Sequence, residues 1–91
     1  MITSQLPSQI EASRQFGAIV HRTIAARANC TKTLVAAHIG VDKQVIESIT
    51  AGEAHIQDCQ VLLDLVIAFE GLPPQVRSHM FNLIVEIKEL N

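Results

Sequence analysis

The sequence predicts an all-α protein of about five helices, and three observations lead to that prediction. Apolar residues recur at steps of three and four along most of the chain, which is helical spacing and not the alternation of a strand. Breakers separate the apolar runs at Gly40, Gly52, Gly71 and the Pro73-Pro74 pair. The chain has 91 residues, of which 48% are hydrophobic, so residues 1–91 are expected to form one domain.

The first helix is predicted over about residues 8–29. Ser8 is a candidate N-cap, Glu11 stands three residues on as in a capping box, and Pro7 precedes the cap. One inward stripe follows the helix at steps of three and four residues: Ala12, Phe16, Ile19, Val20 and Thr23.

Two short helices are predicted within residues 31–52. Thr31 is the expected N-cap of the second helix, residues 32–39, and Gly40 supplies a left-handed turn residue. Asp42 is expected to cap the third helix with its side chain, and Gly52 to end it at about residue 51. The inward residues are expected to be Leu34, Val35 and Ile39 on the second helix, and Val45, Ile46 and Ile49 on the third.

The last two helices are predicted over about residues 57–70 and from the prolines at 73 and 74 to about residue 89. The fourth is expected to bury Cys59, Leu62, Leu63, Val66 and Ile67, with Val61, Leu65 and Phe69 outside that set. The fifth carries an apolar stripe of Val76, Met80, Leu83, Ile84 and Ile87, extended by Leu90.

Apolar residues lie outside these stripes as well, notably Phe81 and Val85. A chain this short cannot bury them all alone, and exposed apolar patches usually mark interfaces. The expected interface for self-association, on an assembly helix over about residues 73–90, comprises Met80, Phe81, Ile84, Val85 and Leu90. The alternative is a monomer in which the N-terminal arm, residues 1–7, covers Phe81 and Val85.

The residues between 31 and 52 meet the physical demands of a helix-turn-helix. Ala36 is small enough for a close crossing, Gly40 permits a positive φ, and Val41 can fill the angle between the helices. One face of the third helix is left polar, and in a DNA reader that face enters the major groove. An ordinary corner between two helices would show much of the same pattern.

This segment resembles the helix-turn-helix superfamily of phage repressors and Cro proteins. Val35-Ala36, Gly40-Val41-Asp42, Ile46 and Gly52 occupy the places of its consensus, and the Gly-Val-Asp-Lys turn at residues 40–43 is most like the CII-type transcriptional activators of temperate phages. The resemblance implies a lambda-repressor-like domain with a C-terminal oligomerisation helix. It also implies a transcriptional regulator of phage or prophage origin that binds double-stranded DNA as a homodimer or homotetramer. Such a regulator either contacts RNA polymerase as an activator or blocks it as a repressor.

Roles for individual residues follow from the same resemblance. Family members read bases from the first turns of the third helix, which here carry Lys43, Gln44, Glu47 and Ser48. They hold a phosphate at the start of the second helix, where Thr31 and Lys32 stand, with Arg27 close enough in sequence to assist. The alternative is that these polar residues form only a solvated helix face.

The net charge of −2 argues against DNA at first sight, but it is unevenly distributed. Residues 1–43 carry five basic and two acidic side chains, whereas residues 44–91 carry two basic and seven acidic ones. This asymmetry can arise by chance, or it can offer a basic face to DNA with the acidic half turned away.

The chain departs from the family just after the reading positions. Relatives usually have Arg or Lys there, and this chain has Thr50, Ala51, Glu53 and Ala54. Each subunit is therefore expected to bind DNA weakly, so that several must act together. The alternative function is a protein-interaction module, an antirepressor or adaptor, that keeps the fold without strong DNA binding.

Other classes of function find little support in the sequence. No nucleophile elbow, phosphate-binding glycine loop or paired-acid motif occurs, so we expect no enzyme and no cofactor. His55 and Cys59 are four residues apart, but a second pair is lacking and no metal is expected. Two cysteines in separate elements, no signal peptide and no long apolar run indicate a cytoplasmic protein without a membrane partner.

Overall fold

A computed structural model describes residues 7–54 and 59–88 of the chain. These residues form five α-helices and no β-strand, which confirms the all-α prediction. The helices are α1 (Pro7–Ala25), α2 (Lys32–Ile39), α3 (Lys43–Thr50), α4 (Cys59–Ala68) and α5 (Pro74–Lys88). Every helix contributes to one apolar core, so the described residues pack around a common centre.

The first helix differs from its prediction at both ends. It begins at Pro7, so Ser8 lies inside the helix, and Glu11 bonds Arg14 (2.9 Å) and Gln15 (3.1 Å) on its own surface. The predicted Ser8 cap is therefore wrong, because a proline is well suited to the first helical position. The helix ends at Ala25, and within the turn that follows Asn29 has a φ of 57°, a left-handed conformation that asparagine tolerates.

α1 and α5 pack against each other in opposite directions. Near one end of the pair, the buried Gln9 side chain donates a 2.6 Å hydrogen bond from Nε2 to the carbonyl oxygen of Ile87. That carbonyl belongs to the last turn of α5, where the helix itself offers no partner. Between and beside the helices lie their buried apolar residues: Ala12, Phe16, Val20, Ile24, Met80, Leu83, Ile84 and Ile87.

The end of α3 lies directly on the backbone of α1. A Cβ built on Gly17 would overlap the carbonyl oxygen of Ile49 and would stand 3.1 Å from the amide nitrogen of Gly52. A Cβ built on Gly52 would in turn stand 3.2 Å from the Cα of Arg14. Two glycines therefore set the distance between α1 and the exit of α3, and nothing in the helical pattern indicated the role of Gly17.

The buried side of α4 differs from the predicted one. Leu62 and Val66 are buried as expected, but so are Leu65 and Phe69, while Ile67 is 72% exposed. The helix packs against both α5 and α2. The side of α4 that these two helices cover contains Leu62 and the residues three, four and seven positions after it. The predicted buried side of α4 is therefore rotated about the helix axis by about one residue position relative to the observed one.

The short helix α2 and the last helix α5 also bury some of their apolar residues and expose others. On α2, Val35 is buried and Ile39 half-buried as predicted, but Leu34 is 55% exposed because α3 and α4 cover only the opposite side of this helix. On α5, the buried residues are the four central members of the predicted stripe, whereas Phe81 and Val85 are exposed. Leu90 lies outside the described residues.

Candidate nucleic-acid interface

α2 and α3 are joined by a three-residue turn with well-defined caps. Thr31 has extended backbone angles, and its Oγ1 accepts a 3.1 Å hydrogen bond from the amide of Leu34, which confirms the predicted N-cap. Gly40 has a φ of 90°, as predicted, and both its amide and that of Val41 donate to the carbonyl oxygen of Ala36. The turn therefore has the local structure that its sequence demands.

The start of α3 is capped less completely. Asp42 occupies the N-cap position with extended backbone angles, and its carbonyl oxygen accepts from the amide of Val45 at 3.0 Å. Its carboxylate makes no capping hydrogen bond, so the expected side-chain cap is absent. The exposed carboxylate therefore adds a negative charge at the tip of α3.

The end of α3 closes through its backbone. The amide of Glu53 donates to the carbonyl of Ser48 at 2.9 Å, and the amide of Gly52 donates to that of Ile49 at 3.0 Å. These two bonds, with Gly52 at a φ of 84°, form a Schellman motif. Ile46 and Ile49 are fully buried, so α3 is held to the core along one side and bounded at both ends.

The opposite side of α3 carries the predicted base-reading residues. Lys43, Gln44 and Glu47 are exposed, and Ser48 is half-buried beside them. The Nζ of Lys43 lies 3.5 Å from Oε2 of Glu47, one helical turn further on. Such an exposed pair contributes only about 0.3–0.5 kcal/mol, so either side chain can readily exchange its partner for another group.

The predicted phosphate-binding residues at the start of α2 do not all come together. Thr31 is exposed and Lys32 half-buried at the first turn of α2. Arg27 instead donates from Nη2 to the carbonyl oxygen of Glu70, and its guanidinium lies over the Phe69 ring, 5.3 Å from the centroid. Arg27 thus joins the end of α1 to the end of α4, and its expected part in phosphate binding stays a prediction.

One cation near α3 could not be found from the sequence. Arg14 of α1 lies against Gly52 at the exit of α3, because the close approach at Gly17 brings the two segments together. Glu11 pairs with Arg14, and Glu53 is exposed next to Gly52. The surroundings of α3 therefore mix both signs of charge, and the acidic half of the sequence does not turn wholly away from the candidate interface.

The predicted self-association surface is only partly available. Met80 and Ile84 are buried in the core of the single chain, so they are not surface residues and that part of the prediction is wrong. Phe81 is 37% and Val85 56% exposed, and their spacing of four residues places them on one side of α5. The exposed apolar surface of α5 is therefore this pair.

Within residues 7–54 and 59–88, His, Cys, Asp and Glu side chains do not gather into a group of three able to hold a metal ion. His55 lies outside this part of the chain. Among the same residues, no helix combines the length and the apolar character that crossing a membrane requires. Cys30 and Cys59 are both thiols and not a disulfide.

Comparison of the chain with protein-family models, with curated proteins and with solved structures yields no match.

Proposed function

We propose that this protein is a sequence-specific DNA-binding regulator of transcription that acts as a homo-oligomer with α3 in the major groove. The observation that supports this most is the two-sided construction of α3. Ile46 and Ile49 hold one side in the core, while Lys43, Gln44 and Glu47 project from the other. A short helix held rigidly, with a free polar face, is what reading base edges requires.

The side chains on that face suit the edges of DNA bases. Gln44 can bond adenine through two atoms, Lys43 can donate to guanine, and Glu47 can accept from cytosine. At the start of α2, the exposed Thr31 and the ammonium of Lys32 suit a phosphate, which the free amides of a helix N-terminus also attract. The proposed contacts thus divide into base reading by α3 and positioning by α2.

A single subunit carries little positive charge at the interface, which favours binding as an oligomer. Lys43 is paired with Glu47, and Asp42 and Glu53 flank α3, so one subunit neutralises few phosphates. A symmetric pair would place two copies of α3 in successive major grooves and double the contacts. Phe81 and Val85 are the residues through which we propose that the subunits associate.

The wider biological setting rests on the sequence resemblance of residues 31–52. It supports a phage or prophage regulator that works in the cytoplasm, either by contacting RNA polymerase or by blocking it. No enzymatic activity is part of this proposal.

A fluorescence-anisotropy titration against labelled DNA flanking the gene tests the proposal. The titration is run at two salt concentrations, with a scrambled duplex of equal length and composition as the competitor. We expect saturable binding that is tighter for the flanking DNA and weaker at the higher salt. Absence of binding at low salt by the folded, oligomeric protein would contradict it.

A second function is favoured by one observation. The pairing of Lys43 with Glu47, together with Asp42 and Glu53, leaves the exposed side of α3 without a net positive charge. A face of this kind suits a protein partner, such as a regulator that the chain would sequester as an antirepressor or adaptor. Failure to bind DNA at low salt would support this alternative.

A further inference from the structure

The sequence leaves the exit of α3 without a basic residue of its own. Neither Lys nor Arg occurs from residue 44 to residue 76, and Ala51, Gly52 and Glu53 follow α3 directly. Proteins that bind DNA hold its phosphates largely with Lys and Arg, and these contacts fix the orientation of the protein on the duplex. A cation at this end of α3 therefore has to come from another part of the chain.

The fold brings such a cation to the exit of α3 from α1. The close approach of Gly17 to the carbonyl oxygen of Ile49 joins the two segments, and Arg14, about one helical turn before Gly17, then lies against Gly52. A Cβ built on Gly52 would stand 3.7 Å from the Cβ and 3.8 Å from the Cγ of Arg14, so the stem of that side chain rests on the exit. The Arg14 side chain is still 67% exposed, which leaves its guanidinium accessible.

Arg14 extends the polar face of α3 beyond the end of the helix. Gln44, Glu47 and Ala51 are exposed at helical spacing, and Gly52, on which Arg14 rests, follows Ala51. The exit lies about 12 Å from Gln44 along the helix axis, and the major groove is about 12 Å wide. A helix that reads bases with its first turn therefore brings its exit to the sugar-phosphate backbone at the edge of the groove.

We infer that Arg14 exchanges Glu11 for a DNA phosphate at this edge of the groove and thereby positions the exit of α3 on the duplex. The inference rests on the proposed binding of α3 in the major groove. Arg14 lies 2.9 Å from Glu11 in an exposed pair of a kind that contributes little to stability, whereas arginine can bind a phosphate through two parallel hydrogen bonds. The exposed carboxylate of Glu53 next to Gly52 repels a phosphate, and Arg14 is placed to offset that repulsion.

Anisotropy titrations of the full chain with the flanking and the scrambled duplex, over a range of salt concentrations, test the inference. Arg14→Gln should weaken binding to both duplexes by about three- to tenfold at low salt and reduce the salt slope by about one. Arg14→Lys should retain most of the slope, because it keeps the charge. The control is Arg22→Gln, an equal change at an exposed position two turns further along α1, beside α5, which should alter affinity less than about twofold.

Glu11 provides a second test, because it competes with the phosphate for Arg14. Glu11→Gln should raise the affinity for both duplexes by about two- to fivefold, and this rise should disappear when Arg14 is also replaced by glutamine. An equal rise in both backgrounds would show that Glu11 acts through net charge alone, and the proposed exchange would be wrong. Circular dichroism checks that every variant remains helical.

The outcomes separate this inference from the proposed function. If the parent chain binds DNA and Arg14→Gln binds equally well with an unchanged salt slope, the inference is overturned while the proposed function stands. If Arg14→Gln loses affinity for the flanking duplex alone, Arg14 reads a base and does not hold a phosphate, which also overturns it. If the parent binds neither duplex at low salt, the proposed function fails, and the inference fails with it.

Discussion

Gly17 of α1 lies against the carbonyl oxygen of Ile49, so closely that no side chain fits between the two backbones. Ile49 is also one of the two fully buried isoleucines that hold α3 to the core. The contact thus determines how near α3 approaches the rest of the protein, and with it the position of the polar face of α3. It also brings Arg14 beside the exit of that helix.

Replacing Gly17 by alanine is expected to destabilise the protein by about 2–3 kcal/mol. Inside an unobstructed helix the same change stabilises by about 0.5–1 kcal/mol, so the close approach reverses the sign. Urea denaturation followed by circular dichroism measures the free energy of unfolding. The control is Gly71→Ala, where an added Cβ meets open space. Only the positive φ of 80° opposes this substitution, and it should lower the free energy of unfolding by about 1–2 kcal/mol. A Gly17→Ala variant as stable as the parent would show that α1 and α3 can separate freely.

Gln44 and Lys32 are expected to affect DNA binding in different ways. Gln44→Ala should weaken specific binding by about 1–3 kcal/mol and leave non-specific binding nearly unchanged, because its amide reads a base. Lys32→Ala should weaken both alike and reduce the salt slope by about one, because an ammonium near phosphate carries no sequence information. Anisotropy titrations with cognate and scrambled duplexes separate the two effects. Equal losses for Gln44→Ala on both duplexes would contradict its base-reading role.

Glu47 is expected to restrain non-specific binding. Glu47→Gln removes a carboxylate from the exposed face of α3 and frees the Lys43 ammonium, which lies 3.5 Å away. Affinity for scrambled DNA at low salt should rise by a factor of about three to ten, while the free energy of unfolding changes by less than about 0.5 kcal/mol. Glu86→Gln, an equal change at an exposed position of α5, is the control. If both variants raise the affinity equally, net charge alone is responsible.

The exposed pair on α5 is expected to mediate self-association. Phe81→Glu or Val85→Glu should shift the sedimentation coefficient toward the monomer. Val85→Glu should cost less than about 1 kcal/mol of folding stability because Val85 is 56% exposed, whereas Phe81→Glu should cost more because Phe81 is only 37% exposed. Ile67→Glu, an exposed apolar position on α4, should leave the assembly unchanged. Met80→Ala should instead destabilise the fold itself by about 2–5 kcal/mol. An assembly that resists both α5 changes would move the interface to another surface.

Features that depend on a few neighbouring residues were predictable from the sequence. The cap at Thr31, the left-handed turn at Gly40 and the end of α3 at Gly52 each need only local backbone geometry and one suitable side chain. The two-sided character of α3 was predictable as well, since helical spacing separates Ile46 and Ile49 from Lys43 and Gln44. The exception is Asp42, whose residue type suits a cap that its carboxylate does not make.

The helical class, the turn between α2 and α3, and the residues that share the polar face of α3 can thus be read from the sequence. Packing between helices is needed to show that Leu65 and Phe69 are buried while Ile67 is exposed, that Met80 and Ile84 belong to the core, and that Arg27 donates to the carbonyl of Glu70. This is because helical periodicity orders residues around an axis without specifying which side of each helix its neighbours cover. That choice depends on contacts between residues far apart in the chain, such as Gly17 with Ile49 and Gln9 with Ile87.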